Sequence, residues 1–310
     1  MRRIKVGWVV AILAVSLTSF AEEYISTASL FEMGISVRAI GMGGTFIAIA
    51  DDEAATFYNP AGLASLASPR FSSFFARPFS SYSYSALGGV KRNWGSCFLL
   101  LDSGTLAERD LYGNPIGSFR YTSTGLVLGW GHQLTNSFSL GLQLKGYSLA
   151  FPTHGFGVAL SPAVLFEEGP RSYGILWQNL IATGTRFSDS HNEPWISDIA
   201  VGLAWRFDSV TYCIDFTENL ITRADISCVR LGLESTKFSP FVLRAGTNRD
   251  WSSLGFSVYW EQMRIDFAYL LHYALPNSYL VSLCYQGSKL IPESLMKGFR
   301  HLVRALFGQS

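Results

Sequence analysis

From residue 70 onward, apolar and polar positions alternate with a period of two, in segments of about ten residues separated by turn residues. In 197–207, Ile199, Val201, Leu203, Trp205 and Phe207 share one face, and Asp198, Ala200, Gly202, Ala204 and Arg206 share the other. The same rhythm runs through 210–216 and 254–260. In 264–273, Ile265, Phe267, Tyr269, Leu271 and Tyr273 oppose Arg264, Asp266, Ala268 and His272. Successive side chains of a strand point to opposite faces, so each segment predicts a β-strand with one apolar and one small or charged face. About fourteen strands are expected, near 70–78, 82–91, 94–103, 118–131, 137–150, 155–167, 171–182, 195–207, 210–218, 226–235, 239–247, 251–260, 262–273 and 277–286. The first three carry the weakest pattern, which leaves twelve as the alternative count.

Such alternation fits a soluble sandwich with one wet face as well as a membrane barrel. Two features favour the membrane. Trp130, Trp177, Trp205, Trp260, Tyr273 and Tyr285 fall near strand ends, where an interfacial girdle sits. The opposite face mixes small residues with charges of both signs, as a wet or plugged lumen does. The longest connections, 104–117 and 183–194, follow odd-numbered strands, while the tightest, 208–209 and residue 261, follow even ones. With both termini periplasmic, long loops then face outward and short turns inward.

The chain is 48% hydrophobic with a mean hydropathy of +0.21, yet past the N-terminus no run reaches the roughly 18 apolar residues of a membrane helix. Residues 1–21 read as a secretory signal: Arg2, Arg3 and Lys5, then an apolar core over 6–17, then Ser19-Phe20-Ala21. Without Arg2, Arg3 and Lys5, the 24 basic residues fall to 21 against 23 acidic ones, about −2, which argues against a nucleic-acid partner. Cys97, Cys213, Cys228 and Cys284 show no metal-knuckle spacing and read as small strand residues, with a Cys213–Cys228 bridge as the alternative.

Between signal and strands, 22–69 is a compact Gly/Ala-rich stretch, richest over 36–66. Gly41, Gly43 and Gly44 permit close backbone approach. Asp51 and Asp52 are expected to cap a short helix, and Asn59 a second one with Pro60 at its first position. The glycines lack the spacing of a dinucleotide loop, and the acidic run has no further oxygen ligands for a metal. These features suggest a plug at one end of a barrel.

The runs Arg38-Ala39-Ile40-Gly41-Met42-Gly43-Gly44, Ala50-Asp51-Asp52-Glu53-Ala54 and Tyr58-Asn59-Pro60-Ala61-Gly62-Leu63 resemble the N-terminal signature of the FadL-like outer-membrane superfamily. This superfamily includes the long-chain fatty-acid transporters and the PorV/PorQ proteins. The resemblance implies a fourteen-stranded barrel over 70–287, with 22–69 folded inside it as a hatch. Two departures stand out: a shorter chain with modest outer loops, and a segment, 288–310, beyond a last strand that ends near Tyr285. Over 292–307, Leu295, Phe299, Leu302, Val303 and Leu306 recur at helical spacing, opposite Lys297, Arg300 and Arg304. That helix suits a bilayer interface, a barrel mouth or a protein partner.

The inferred lumen carries Lys145, Arg206, Arg230, Arg244 and Arg264 against Asp198, Asp215, Glu234, Glu261 and Asp266. Opposite signs cancel, so strong ion steering is not expected; pairing across the lumen that holds the plug is favoured over a line of substrate ligands. No catalytic or metal-binding constellation stands out, and no cofactor is expected. The chain therefore reads as an outer-membrane protein that contacts lipid and passively transports hydrophobic or amphipathic small molecules past a hatch. The alternative is a non-transporting, PorV-like scaffold that engages secretion or envelope proteins through its C-terminal helix.

Overall fold

A computed structural model describes residues 30–77, 82–150, 153–219 and 228–287. The expected signal peptide and C-terminal helix lie outside the described residues. The first half of the sheet runs β1 (Arg70–Ala76), β2 (Ser83–Lys91), β3 (Trp94–Arg109), β4 (Pro115–Thr135), β5 (Phe138–Ala150), β6 (His154–Glu168) and β7 (Arg171–Gln178). Three short strands follow: β8 (Ile181–Ala182), β9 (Thr185–Phe187) and β10 (Asn192–Glu193). The second half is β11 (Asp198–Phe207), β12 (Val210–Asn219), β13 (Cys228–Phe238), β14 (Phe241–Thr247), β15 (Trp251–Trp260), β16 (Met263–His272) and β17 (Ser278–Gln286).

Neighbouring long strands pair antiparallel, and β7 passes directly to β11. β1 pairs β17 from Arg70 opposite Gln286 to Ala76 opposite Leu280, which closes a barrel of fourteen strands. A closed ladder leaves no open edge, the condition for a sheet in hydrocarbon. All fourteen expected strands are present, because one buried face enforces a register that a one-residue slip would invert.

Two connections differ from expectation. The loop expected over 104–117 is mostly strand: β3 and β4 stay paired out to Arg109 opposite Pro115. A register shift between Asp102 and Thr105, with Gly104 at φ +65°, resets the alternation there, so two patterned stretches read as a loop between them. β2 reaches only to Asp102 and β5 only to Thr122, so this hairpin rises beyond its neighbours. The other expected loop, 183–194, carries β9 and β10, which extend the wall beside β6.

Side chains sort by parity. Along β15, Gly255 and Ser257 are buried, while Leu254 and Phe256 point outward, 57% and 43% exposed. Trp130, Trp177, Trp205, Trp260 and Tyr273 are exposed, as a girdle requires. Tyr285 corrects the expectation: it is buried, and its hydroxyl donates to Gln262 Oε1 at 2.9 Å. All four cysteines are free; register sets Cys213 opposite Gly232 and Cys228 opposite Thr217, so they do not meet across the ladder.

Ahead of the sheet lie helix α1 (Val37–Gly41), helix α2 (Ala55–Tyr58) and a 3-10 helix (Pro60–Ser65). Ser36 caps α1, its Oγ accepting from Ala39 N at 3.2 Å. α1 packs on the inward faces of β14–β17, and the 3-10 helix packs on those of β3–β6. The segment thus crosses from one side of the barrel to the other. Wall glycines allow this approach: a methyl on Gly246 would lie 2.1 Å from Gly43 N, and one on Gly174 would lie 2.1 Å from Ile47 O.

Phe256→Arg, an outward substitution near the middle of β15, is expected to cost about 2–4 kcal/mol of folding free energy in lipid. Denaturant titration in bilayers measures it, and an unchanged midpoint would place that face away from lipid.

Candidate functional site

The inward face of the barrel meets the N-terminal segment through a buried ion network. Arg38 lies at its centre. Its Nε and Nη2 each donate at 2.8 Å to the two oxygens of Glu234, a bidentate clamp across the lumen. Its Nη1 donates to Asp51 Oδ1 at 2.6 Å and to Asp52 Oδ2 at 3.0 Å. Arg244 Nε shares Glu234 at 2.7 Å, and its Nη1 reaches Ser257 and, at 3.7 Å, Asp266. Arg264 joins wall and segment, donating to Asp266 at 3.0 Å, Asp52 at 3.4 Å and Glu53 at 2.8 Å. Buried charges need partners, and here Arg244 and Arg264 each find a carboxylate on the segment or the adjacent wall.

The acidic pair acts differently from the expected caps. Asp52 Oδ1 does accept from Ala54 N at 2.9 Å, but α2 starts at Ala55 without a side-chain cap. Two guanidiniums compete for these carboxylates and hold them as ion partners. Burial works against the charge of Asp52, but Arg38 and Arg264 outweigh it and hold its pKa below the ordinary value. Burial and the neighbouring Asp52 charge push Glu53 upward. Asn59 does cap the 3-10 helix, accepting from Ala61 N at 3.1 Å with Pro60 at the first helical position. Its amide also donates to Ile47 O at 2.8 Å and Val164 O at 3.1 Å, tying segment to wall. Ala61 and Gly62 follow it and are buried; a methyl on Gly62 would lie 1.9 Å from Ala50 O.

The glycines lie against the opposite wall. Gly41 approaches Gly255, Gly43 donates to Ser253 Oγ at 3.2 Å, and Gly44 lies beside the Arg230 side chain. Asp215 accepts from Phe46 N and Ile47 N, at 2.8 and 3.1 Å. Arg206 reaches Asp51 Oδ2 at 3.6 Å. Arg230 donates to Thr217, and Lys145 to Gln178 at 3.3 Å, with its ammonium over the Phe31 ring. Asp198 lines a cavity beside them. Glu261 departs from the set: it occupies the turn between β15 and β16 with φ +53° and is exposed, because strand parity ends at Trp260. Gln143 was not anticipated. Its Nε2 donates to Thr56 O and Phe57 O, both at 2.8 Å; its inward parity on β5 was the available signal.

A cavity of about 570 Å³ lies between the segment and the wall of β1–β4 and β15–β17. Phe74, Tyr84, Phe119, Tyr121, Trp251 and Leu280 dominate its lining, and Glu32, Met33 and Ile40 contribute from the segment. A second chamber of about 320 Å³ shares Glu32, Met33, Ile40 and Trp251 with the first but adds Gln178, Asp198 and Arg230. Beside Glu53 and Arg264, a third of about 340 Å³ lies at the short-turn end of the barrel. The geometry thus stacks an apolar space, a mixed one and an ion-paired segment.

No protein-family model and no curated protein sequence matches the chain. Solved structures do. The toluene transporter TbuX of Ralstonia pickettii aligns over 82% of this chain and 98% of its own, at 14% identity and a TM-score of 0.58. The fold is that of the FadL-like outer-membrane proteins. The CymD monoaromatic hydrocarbon channel aligns over 86% and 100%, at 12% identity and a TM-score of 0.59. The toluene transporter TodX of Pseudomonas putida aligns over 83% and 98%, at 13% identity and a TM-score of 0.57. At such identity the likeness is one of fold, and the inward-facing side chains belong to this chain.

Arg38→Met leaves Glu234 and Asp52 buried without their shared partner. Breaking such a pair costs about 3–5 kcal/mol, so amide exchange over 36–66 is expected to rise at least on the order of a hundredfold. Unchanged exchange would show that the clamp does not hold the segment. Asp52 also sets an acid limit. Its folded pKa lies below its unfolded value of 3.8, so its contribution is complete above that pH and is lost as pH falls through the folded value. Protection of 36–66 should hold from neutral pH to about pH 4 and decline below it, and Asp52→Asn should flatten that decline.

Proposed function

We propose that this chain is a passive outer-membrane channel for hydrophobic or amphipathic small molecules, with its N-terminal segment acting as a hatch. Both termini lie on the periplasmic side in this reading, and ligand arrives at the end bearing the β3–β4 hairpin. The observation that carries it is the aromatic cavity enclosed between barrel wall and segment. The toluene transporters TbuX and TodX and the monoaromatic hydrocarbon channel CymD add support through their fold.

The magnitudes suit passage. A ligand that buries about 200 Å² of apolar surface gains roughly 5 kcal/mol, and association costs offset much of that. The resulting weak binding allows both capture and release, as conduction requires. Inward charges engaged with each other and with the segment leave little net field to select ions. The reading assigns the chain no catalytic step and no cofactor.

Transfer of N-phenyl-1-naphthylamine into vesicles with a lipopolysaccharide outer leaflet measures this function. Vesicles containing the barrel should take up the dye faster than empty ones, and Leu280→Arg, which puts a charge into the cavity, should remove most of the gain. Uptake no faster than in empty vesicles would overturn the transport reading.

A further inference from the structure

The second chamber sets a requirement that the aromatic cavity does not. A molecule moving inward from the cavity passes Met33 and Trp251, which line both spaces, and meets Asp198 on β11 and Arg230 on β13. Both side chains are half-buried. Among the described residues, Arg230 has Thr217 as its hydrogen-bond partner, 2.7 Å from Nη1, and neither Arg230 nor Asp198 forms a salt bridge. They differ in this from Arg38, Arg244 and Arg264, whose carboxylate partners are close. Glu32, Asp250 and Arg249 complete the charged lining, and Lys145 stands behind Gln178. The chamber therefore presents nearly equal numbers of each charge, with spare acceptor capacity at Asp198 and spare donor capacity at Arg230.

We propose that this chamber binds the head of an amphipathic ligand, that the head is an uncharged hydroxyl or amide, and that the ligand's apolar body occupies the aromatic cavity. The inference rests on the transport reading and narrows its substrate class. A carboxylate can only accept hydrogen bonds and a guanidinium can only donate them, whereas a hydroxyl or amide does both and suits the two together. A pure hydrocarbon in the chamber strips water from Asp198 and Arg230 and returns no partner. An anionic head gains at Arg230 but is opposed by Asp198 and Glu32; a cationic head meets the reverse.

The test uses the purified full chain in detergent at pH 7, loaded with N-phenyl-1-naphthylamine. The dye is displaced by 4-phenylbutanol, butylbenzene, 4-phenylbutyrate or 4-phenylbutylamine, each corrected for partition into protein-free micelles. The alcohol should displace the dye at a concentration about tenfold lower than the other three, the size of one hydrogen bond to a charged group. Asp198→Asn should shift preference toward 4-phenylbutyrate, and Arg230→Gln should shift it toward 4-phenylbutylamine. Opposite shifts cannot come from a shared loss of folding. Equal displacement by all four, or shifts in the same direction in both variants, would overturn the proposal and leave the transport reading standing. Failure of the wild-type chain to bind the dye or any of the four would overturn both.

Discussion

The pairing of β1 with β17 is the constraint on which the rest depends. In hydrocarbon no water satisfies an open strand edge, so the ladder has to close on itself. Closure fixes register, and register fixes which side chains face inward. On β15 and β11 the inward positions are small, Gly255 and Ser257 or Ala200, Gly202 and Ala204, and that leaves the lumen room for a length of chain. Where the inward positions are charged, closure removes water from them. Arg244, Arg264, Glu234 and Asp266 then need partners, and the segment supplies Arg38, Asp52 and Glu53.

The segment is thus held by polar bonds on one face and bounds an apolar cavity on the other. This division has a physical logic. Ion pairs with good geometry set position, whereas apolar contact alone is non-directional. A segment fixed by Arg38 and Asn59 presents Met33 and Ile40 to the cavity without needing the cavity side to hold it.

Strand count and facing were legible in the chain because period-two alternation is strong wherever one side meets lipid. The segment's local chemistry was legible at Asn59-Pro60, where capping is a matter of adjacent residues. It was less so at Asp51 and Asp52, whose partners Arg38 and Arg264 are distant in sequence or in another element. Glu261 and Tyr285 misled for one reason: parity holds inside a strand and fails at its end. The cavity was not legible at all. Its lining comes from β1–β4, β15–β17 and the segment, and only closure brings Phe74, Phe119 and Leu280 together. The β3–β4 extension was hidden by a register shift that breaks the alternation at Gly104.

Locking the segment to the wall tests gating most directly. A Cβ at Gly41 lies 3.8 Å from Ala268 Cβ, close to the mean separation in disulfides. In a chain whose four native cysteines are replaced, Gly41→Cys with Ala268→Cys should form a bridge. The measurement is uptake of N-phenyl-1-naphthylamine by vesicles containing this variant, before and after reduction. Uptake that stops in the oxidised form and returns with reductant is the expected result. Uptake at the same rate in both forms would contradict gating by the segment.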